Sequence, residues 1–149
     1  MNSFESNARE CGYGNIAGID EAGRGPLAGP VVAAAVILPP DYEHAEIRDS
    51  KKLSPRQRER LSTVIQREAV SIGIGVIEAP VIDAVNILQA TLAAMKEAVL
   101  CLFPPPDYLL IDGLHRISLA IPQEAIVRGD ARSVSIAAAW RTTAGTADG

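Results

Sequence analysis

Ile16-Ala17-Gly18-Ile19-Asp20-Glu21-Ala22-Gly23-Arg24-Gly25 carries a short apolar run straight into two adjacent carboxylates and then into a glycine-rich turn. Apolar and small residues followed by Gly, Arg, Gly and Pro26 read as a strand that ends in a loop whose backbone turns sharply or comes close to something. Acids at such a strand end make a candidate site. The spacing from Gly18 to Gly23 imitates a phosphate-binding P-loop, but Arg24 and Gly25 stand where Lys and Ser or Thr would be needed. That weighs against a nucleoside triphosphate site.

Val31 to Leu38 is apolar throughout, which predicts a strand covered on both faces. The connection back to the first strand is short enough to predict antiparallel pairing. Ser54 and Pro55 predict a helix N-cap and first position, with the helix running to Glu68 and Leu61, Val64 and Ile65 facing inward. Ala69 to Glu78 alternates Val70, Ile72, Ile74 and Val76 with Ser71, Gly73 and Gly75, a strand whose small face is closely approached. Pro80 to Leu102 predicts a long helix with an inward stripe of Ile82, Val85, Leu88, Leu92, Met95 and Val99.

Asp107 to Gly113 is a second short apolar run that ends in a carboxylate followed by Gly. Two strands ending in Asp at the same sheet edge would bring Asp20 and Asp112 together. Ala125 to Val127 reads as a further strand, and Arg128 to Ala139 as a turn entering a helix capped by Asp130 or Ser133. Residues 1–14 are polar and aperiodic, which predicts a frayed tail. Residues 140–149 have no apolar period, and their Thr and Gly are poor helix formers, so the last helix is expected to lose its support there.

At 149 residues and 48% hydrophobic, the chain fits one globular domain with a substantial core. Cys11 and Cys101 are far apart with no metal-type spacing, and the N-terminus lacks a leader pattern, so a reduced, cytoplasmic protein is expected, and separately a monomer. No apolar run reaches the roughly 20 residues of a membrane helix. The net charge of −4 hides a basic stretch: between Arg48 and Arg67, seven Lys and Arg residues face only Asp49 and Glu59. That stretch is either a phosphate-facing surface or a solvated helix face.

Asp20, Glu21 and Asp112 offer only oxygen ligands, the preference of Mg²⁺ or Mn²⁺, and no His or Cys set competes for zinc. Without a cation such carboxylates repel, and at least one holds its proton near neutrality. Adjacent strand residues point to opposite faces, so the turn is expected to begin at Glu21 if both acids are to share a pocket. A metal-bound phosphate would then lie beside Gly23-Arg24-Gly25, where the backbone can approach without Cβ interference. Two metals about 4 Å apart could support in-line phosphodiester displacement.

Assembled, these motifs resemble the ribonuclease HII family from about Asn15 to Ala139. The resemblance is carried by Gly18 to Val31, Asp49-Ser50-Lys51-Lys52-Leu53-Ser54, Asn86-Ile87, Ala90-Thr91, Ile111-Asp112-Gly113, Gly129-Asp130-Ala131-Arg132-Ser133 and Ser135 to Ala139. It implies an α/β fold, a ribonuclease H-like mixed β-sheet flanked by helices. It also implies metal-dependent endonucleolytic cutting of the RNA strand of RNA-DNA hybrids, and of single ribonucleotides in duplex DNA, leaving 5′-phosphate and 3′-hydroxyl ends. The metal ligands, for Mn²⁺ or Mg²⁺, fall on Asp20, Glu21 and Asp112. The loop that reads the ribose 2′-hydroxyl falls on Gly23, Arg24 and Gly25, with Ser50 and Lys51 as further substrate contacts.

After Ala139 the chain departs from the family pattern, whose helix runs on to an Arg-Asp pair with a fourth acid and then to a C-terminal region not matched here. Counted without gaps, Asp148 takes the fourth acid's place. The other readings are a truncated domain of this type that only binds metal or hybrid, and another nuclease on the same fold, since fold does not fix substrate. The Gly-Arg-Gly loop argues against the last.

Overall fold

The computed structural model of the chain describes residues 3–22, 30–42, 47, 53–78 and 84–148, with side chains except at 84–86 and 144–148. Among the described residues, five strands form one mixed sheet in the order β3-β2-β1-β4-β5: β1 (Ile16–Ala22), β2 (Val31–Ile37), β3 (Ser71–Ile77), β4 (Tyr108–Asp112) and β5 (Gln123–Ile126). The α-helices among the described residues are α1 (Ser3–Glu10), α2 (Pro55–Glu68), α3 (Ala84–Leu100) and α4 (Val134–Asp148). β1 pairs antiparallel with β2, Asp20 opposite Ala34, and parallel with β4, Ile19 opposite Ile111. The mixed, helix-flanked sheet expected from the sequence is the observed fold.

Two apolar layers cover the sheet. On one face, Ala17, Ile19, Ala33, Ala35, Leu109 and Ile111 pack with Ala94, Met95, Ala98 and Val99 of α3. On the other, Ala34 and Val36 meet Leu61 and Ile65 of α2 and Val134, Ala137 and Ala138 of α4. β2 contributes to both, which is why it is apolar at every position. α2 begins as expected at Ser54: the Gln57 N–H donates to Ser54 Oγ at 3.3 Å and the Ser54 N–H donates to Gln57 Oε1 at 2.9 Å, a reciprocal cap.

The face that α3 presents differs from the predicted stripe. Among its described side chains the buried ones are Ala90, Thr91, Ala94, Ala98 and the expected Met95 and Val99, whereas Leu88 and Leu92 are only partly covered; Ile82 and the Val85 side chain lie outside what is described. The cause is the small face of β3. A Cβ added at Gly75 would lie 2.0 Å from the Ala94 carbonyl oxygen, and one at Gly73 2.0 Å from that of Ala98. The helix sits so close that alanines face the strand's glycines, and Leu88 and Leu92 line the cleft beside Glu21 and Asp112.

Two expectations at the chain ends are corrected. Residues 1–14 are not a frayed tail through their length, because Ser3–Glu10 is helical and buries Glu5 and Ala8. Its length of two turns was too short for an apolar period, and its most buried side chain is a charged one. Nor does the last helix fail at Trp140, since α4 continues to Asp148. The Thr142 hydroxyl donates to the Ala138 carbonyl at 2.9 Å and that of Thr143 to the Trp140 carbonyl at 2.7 Å. Their polar groups are thus satisfied inside the helix, and Arg141, Thr142 and Thr143 are all buried by tertiary packing that overrides propensity.

Candidate active site

The carboxyl ends of β1 and β4 lie side by side because the two strands are parallel and in register. Their pairing stops at Ile19 and Ile111, so Asp20 and Asp112 both emerge where the strands part. One carboxylate oxygen from each of Asp20, Glu21 and Asp112 lies within 4.8 Å of the others. The predicted convergence is present, by a route different from the one expected. β1 does not break at Glu21, which still pairs with Ala33, and the strand runs on to Ala22.

By strand alternation Asp20 shares the α4 face with Gly18, while Glu21 shares the α3 face with Ile19. The β1–β4 ladder ends at Ile19 and Ile111, which leaves the corner beyond it where the three carboxylates meet. Asp112 is set by the turn after β5, where the Gly129 N–H donates to Asp112 Oδ1 at 2.7 Å. Asp20 Oδ1 accepts the Glu21 N–H, also at 2.7 Å. Gly113, at φ +124°, then takes the chain away in a conformation that favours glycine.

Asp20 is only 3% exposed. Burial first, then the charges of Asp112 and Glu21, and further that of Asp130, push its pKa up to about 9 from an ordinary 3.8, against the lowering effect of the Glu21 N–H bond. Such a carboxyl is held protonated by its surroundings until a cation joins it. A cleft of about 290 Å³ opens beside Glu21 and Asp112, walled by Leu88, Thr91, Leu92 and Met95 of α3 and by Leu114 and His115. An all-oxygen donor set with a buried, charge-crowded member fits a hard divalent cation such as Mg²⁺ or Mn²⁺.

The influence of Asp130 on Asp20 brings in an acid that the sequence reading treated only as a possible helix cap. Ser133 does the capping, its Oγ accepting the Ile136 N–H at 3.2 Å. Asp130 sits instead in the 3₁₀ turn Gly129–Ala131, directly after the glycine that holds Asp112. Its signal in the sequence was the Gly-Asp pair following a β-strand, the device already seen at β1 and β4 in reverse order. Gly23, Arg24, Gly25, Ser50 and Lys51 lie outside the described residues, as does the Asp148 side chain at the end of α4. Among the described basic residues, Arg56, Arg60 and Arg67 of α2 are exposed.

The chain matches the family model described as Ribonuclease HII over residues 17–140. It is 66% identical over 139 residues to the ribonuclease HII of Syntrophus aciditrophicus, covering 93% of this chain and 66% of that protein. With that of Geobacter sulfurreducens it shares 61% over 136 residues, covering 91% of this chain and 63% of that one. The chain therefore spans just under two thirds of the length of these relatives. Its fold is similar to that of the ribonuclease H2 from Pyrococcus horikoshii, with a TM-score of 0.72 at 23% identity over 90% of this chain and 72% of the other. With the family pattern matched along most of its length and the same architecture beneath it, the chain belongs to the ribonuclease HII family.

Proposed function

We propose that this chain is a divalent-metal-dependent endonuclease that hydrolyses the RNA strand of RNA-DNA hybrids, and single ribonucleotides in duplex DNA, leaving 5′-phosphate and 3′-hydroxyl ends. The observation that carries the proposal is the meeting of Asp20, Glu21 and Asp112 at one open sheet corner in a chain of this family. These three acids would hold the metal, Mn²⁺ or Mg²⁺, whose positive charge would stabilise the phosphoryl oxygens during displacement. The chain's own part is preorganisation. The Glu21 and Gly129 amides fix the Asp20 and Asp112 carboxylates, and the apolar wall of α3 limits water on one side of the cleft.

Asp130 is the fourth acid in this reading, in preference to Asp148, because it follows the Gly129 whose N–H holds Asp112, on the turn beside the acidic cluster. Gly23-Arg24-Gly25 would read the ribose 2′-hydroxyl, the group that separates RNA from DNA, with Ser50, Lys51 and the arginines of α2 facing phosphates. The test is cleavage of an RNA-DNA hybrid and of an all-DNA duplex of the same sequence under Mn²⁺. Cutting confined to the hybrid supports the reading. Equal cutting of both would remove ribose recognition, and cutting of neither would overturn the proposed activity for this chain.

A further inference from the structure

We infer that Glu5, on the N-terminal helix, is a positioning residue for the acidic site, which it reaches through a continuous line of hydrogen bonds. Glu5 is 1% exposed. Its Oε2 accepts the Ser133 hydroxyl at 2.6 Å and the Ser135 N–H at 3.0 Å. The Ser133 N–H donates to the Gly129 carbonyl at 2.7 Å, and the Gly129 N–H donates to Asp112 Oδ1 at 2.7 Å. Glu5, Ser133, Gly129 and Asp112 are thus joined in sequence, and Asp130 rides on the same turn.

Burying a carboxylate is costly unless hydrogen bonds repay it, and here only Oε2 has partners among the described residues while Oε1 is buried without one. A residue serving only to dock α1 would be better apolar, like its neighbour Ala8. What the acid adds is direction, because two donors at the start of α4 are drawn to one oxygen. The same helix holds the turn a second time, with Arg132 over the Phe4 ring at 5.2 Å. The turn itself is strained, with Arg128 at φ +56°, a conformation that persists only when its surroundings enforce it. On the other side, α4 abuts β1 so closely that a Cβ at Gly18 would lie 2.2 Å from the Ser135 carbonyl carbon. Glu5 therefore closes a clamp around the segment that aims Asp112 and Asp130.

This inference rests on the metal-site reading above, and its test separates the two. Mn²⁺ is titrated into the unaltered chain, Glu5→Ala, Glu5→Gln and Ser133→Ala, following free Mn²⁺ by electron paramagnetic resonance, with circular dichroism to establish that each variant is folded. Loss of an outer partner of a metal site weakens binding by roughly tenfold or more, and that loss is expected in folded Glu5→Ala, with Glu5→Gln restoring affinity through its remaining acceptor oxygen. A merely structural role would lower stability and leave the affinity of the folded chain unchanged, which would overturn the inference alone. If Glu5→Ala does not fold, Ser133→Ala decides: weakened affinity supports the relay, and unchanged affinity overturns it. Absence of Mn²⁺ binding by the unaltered chain would overturn the site reading and the inference with it.

Discussion

Asp20 and Asp112 leave neighbouring parallel strands one residue beyond their last paired position, Ile19 with Ile111, so that the sheet itself brings the two carboxylates together. No loop has to close for them to meet. Burial and crowding by Asp112, Glu21 and Asp130 hold the Asp20 carboxyl protonated. Several outcomes can be measured.

The first is a pH dependence of stability. Asp20 carries a folded-state pKa of about 9 against an ordinary 3.8. Between those values the folded chain binds a proton that the unfolded chain has lost, so this group makes metal-free stability fall as pH rises from about 4 to about 9. Thermal unfolding in EDTA at pH 5, 7 and 9 should show the loss, and Asp20→Asn should flatten it. Added Mn²⁺ should raise the melting temperature most at the higher pH, where the carboxyl is easiest to ionise. A variant that tracks the unaltered chain at all three pH values would contradict this account.

A second concerns Gly18, where a Cβ would meet the backbone of Ser135 and Ile136 at 2.2 and 2.4 Å. Backbone atoms cannot swing aside as a side-chain tip can. Gly18→Ala should therefore push α4 off the sheet and destabilise by about 1–3 kcal/mol, the range for overpacking. Urea unfolding reads this directly; an unchanged midpoint would mean that the helix yields freely.

Asp130 and Asp148 give a third. Asp130 acts on Asp20 from the turn that also holds Asp112. Asp130→Asn should lower the cleavage rate by roughly tenfold or more, whereas Asp148→Asn should leave it within about twofold. The reverse pattern, measured as single-turnover rates on a hybrid, would return the fourth acid's role to Asp148.

The acidic site was legible in the sequence because its logic is local and repeated. An apolar run ending in Asp appears at Asp20 and again at Asp112, and parallel pairing follows from the helix between β3 and β4. Asp130 was harder to see, since a polar residue in a turn before a helix reads equally well as a cap, and Ser133 competed for that role. Glu5 gave no signal at all. Its partners lie 128 and 130 residues away, and nothing in a polar octapeptide marks one carboxylate as buried. The persistence of α4 past Ala139 was likewise hidden, because threonines that look like helix breakers bond back to their own helix once tertiary packing covers them.

Cleavage by the chain itself is the most direct test. Duplex DNA carrying one ribonucleotide is incubated with the 149-residue chain and with its Asp112→Asn variant, in Mn²⁺ and in EDTA. The account predicts a single cut at the ribonucleotide with a 5′-phosphate on the downstream product, dependent on Mn²⁺ and lost in the variant. Metal-independent cutting, or equal cutting by chain and variant, would contradict it.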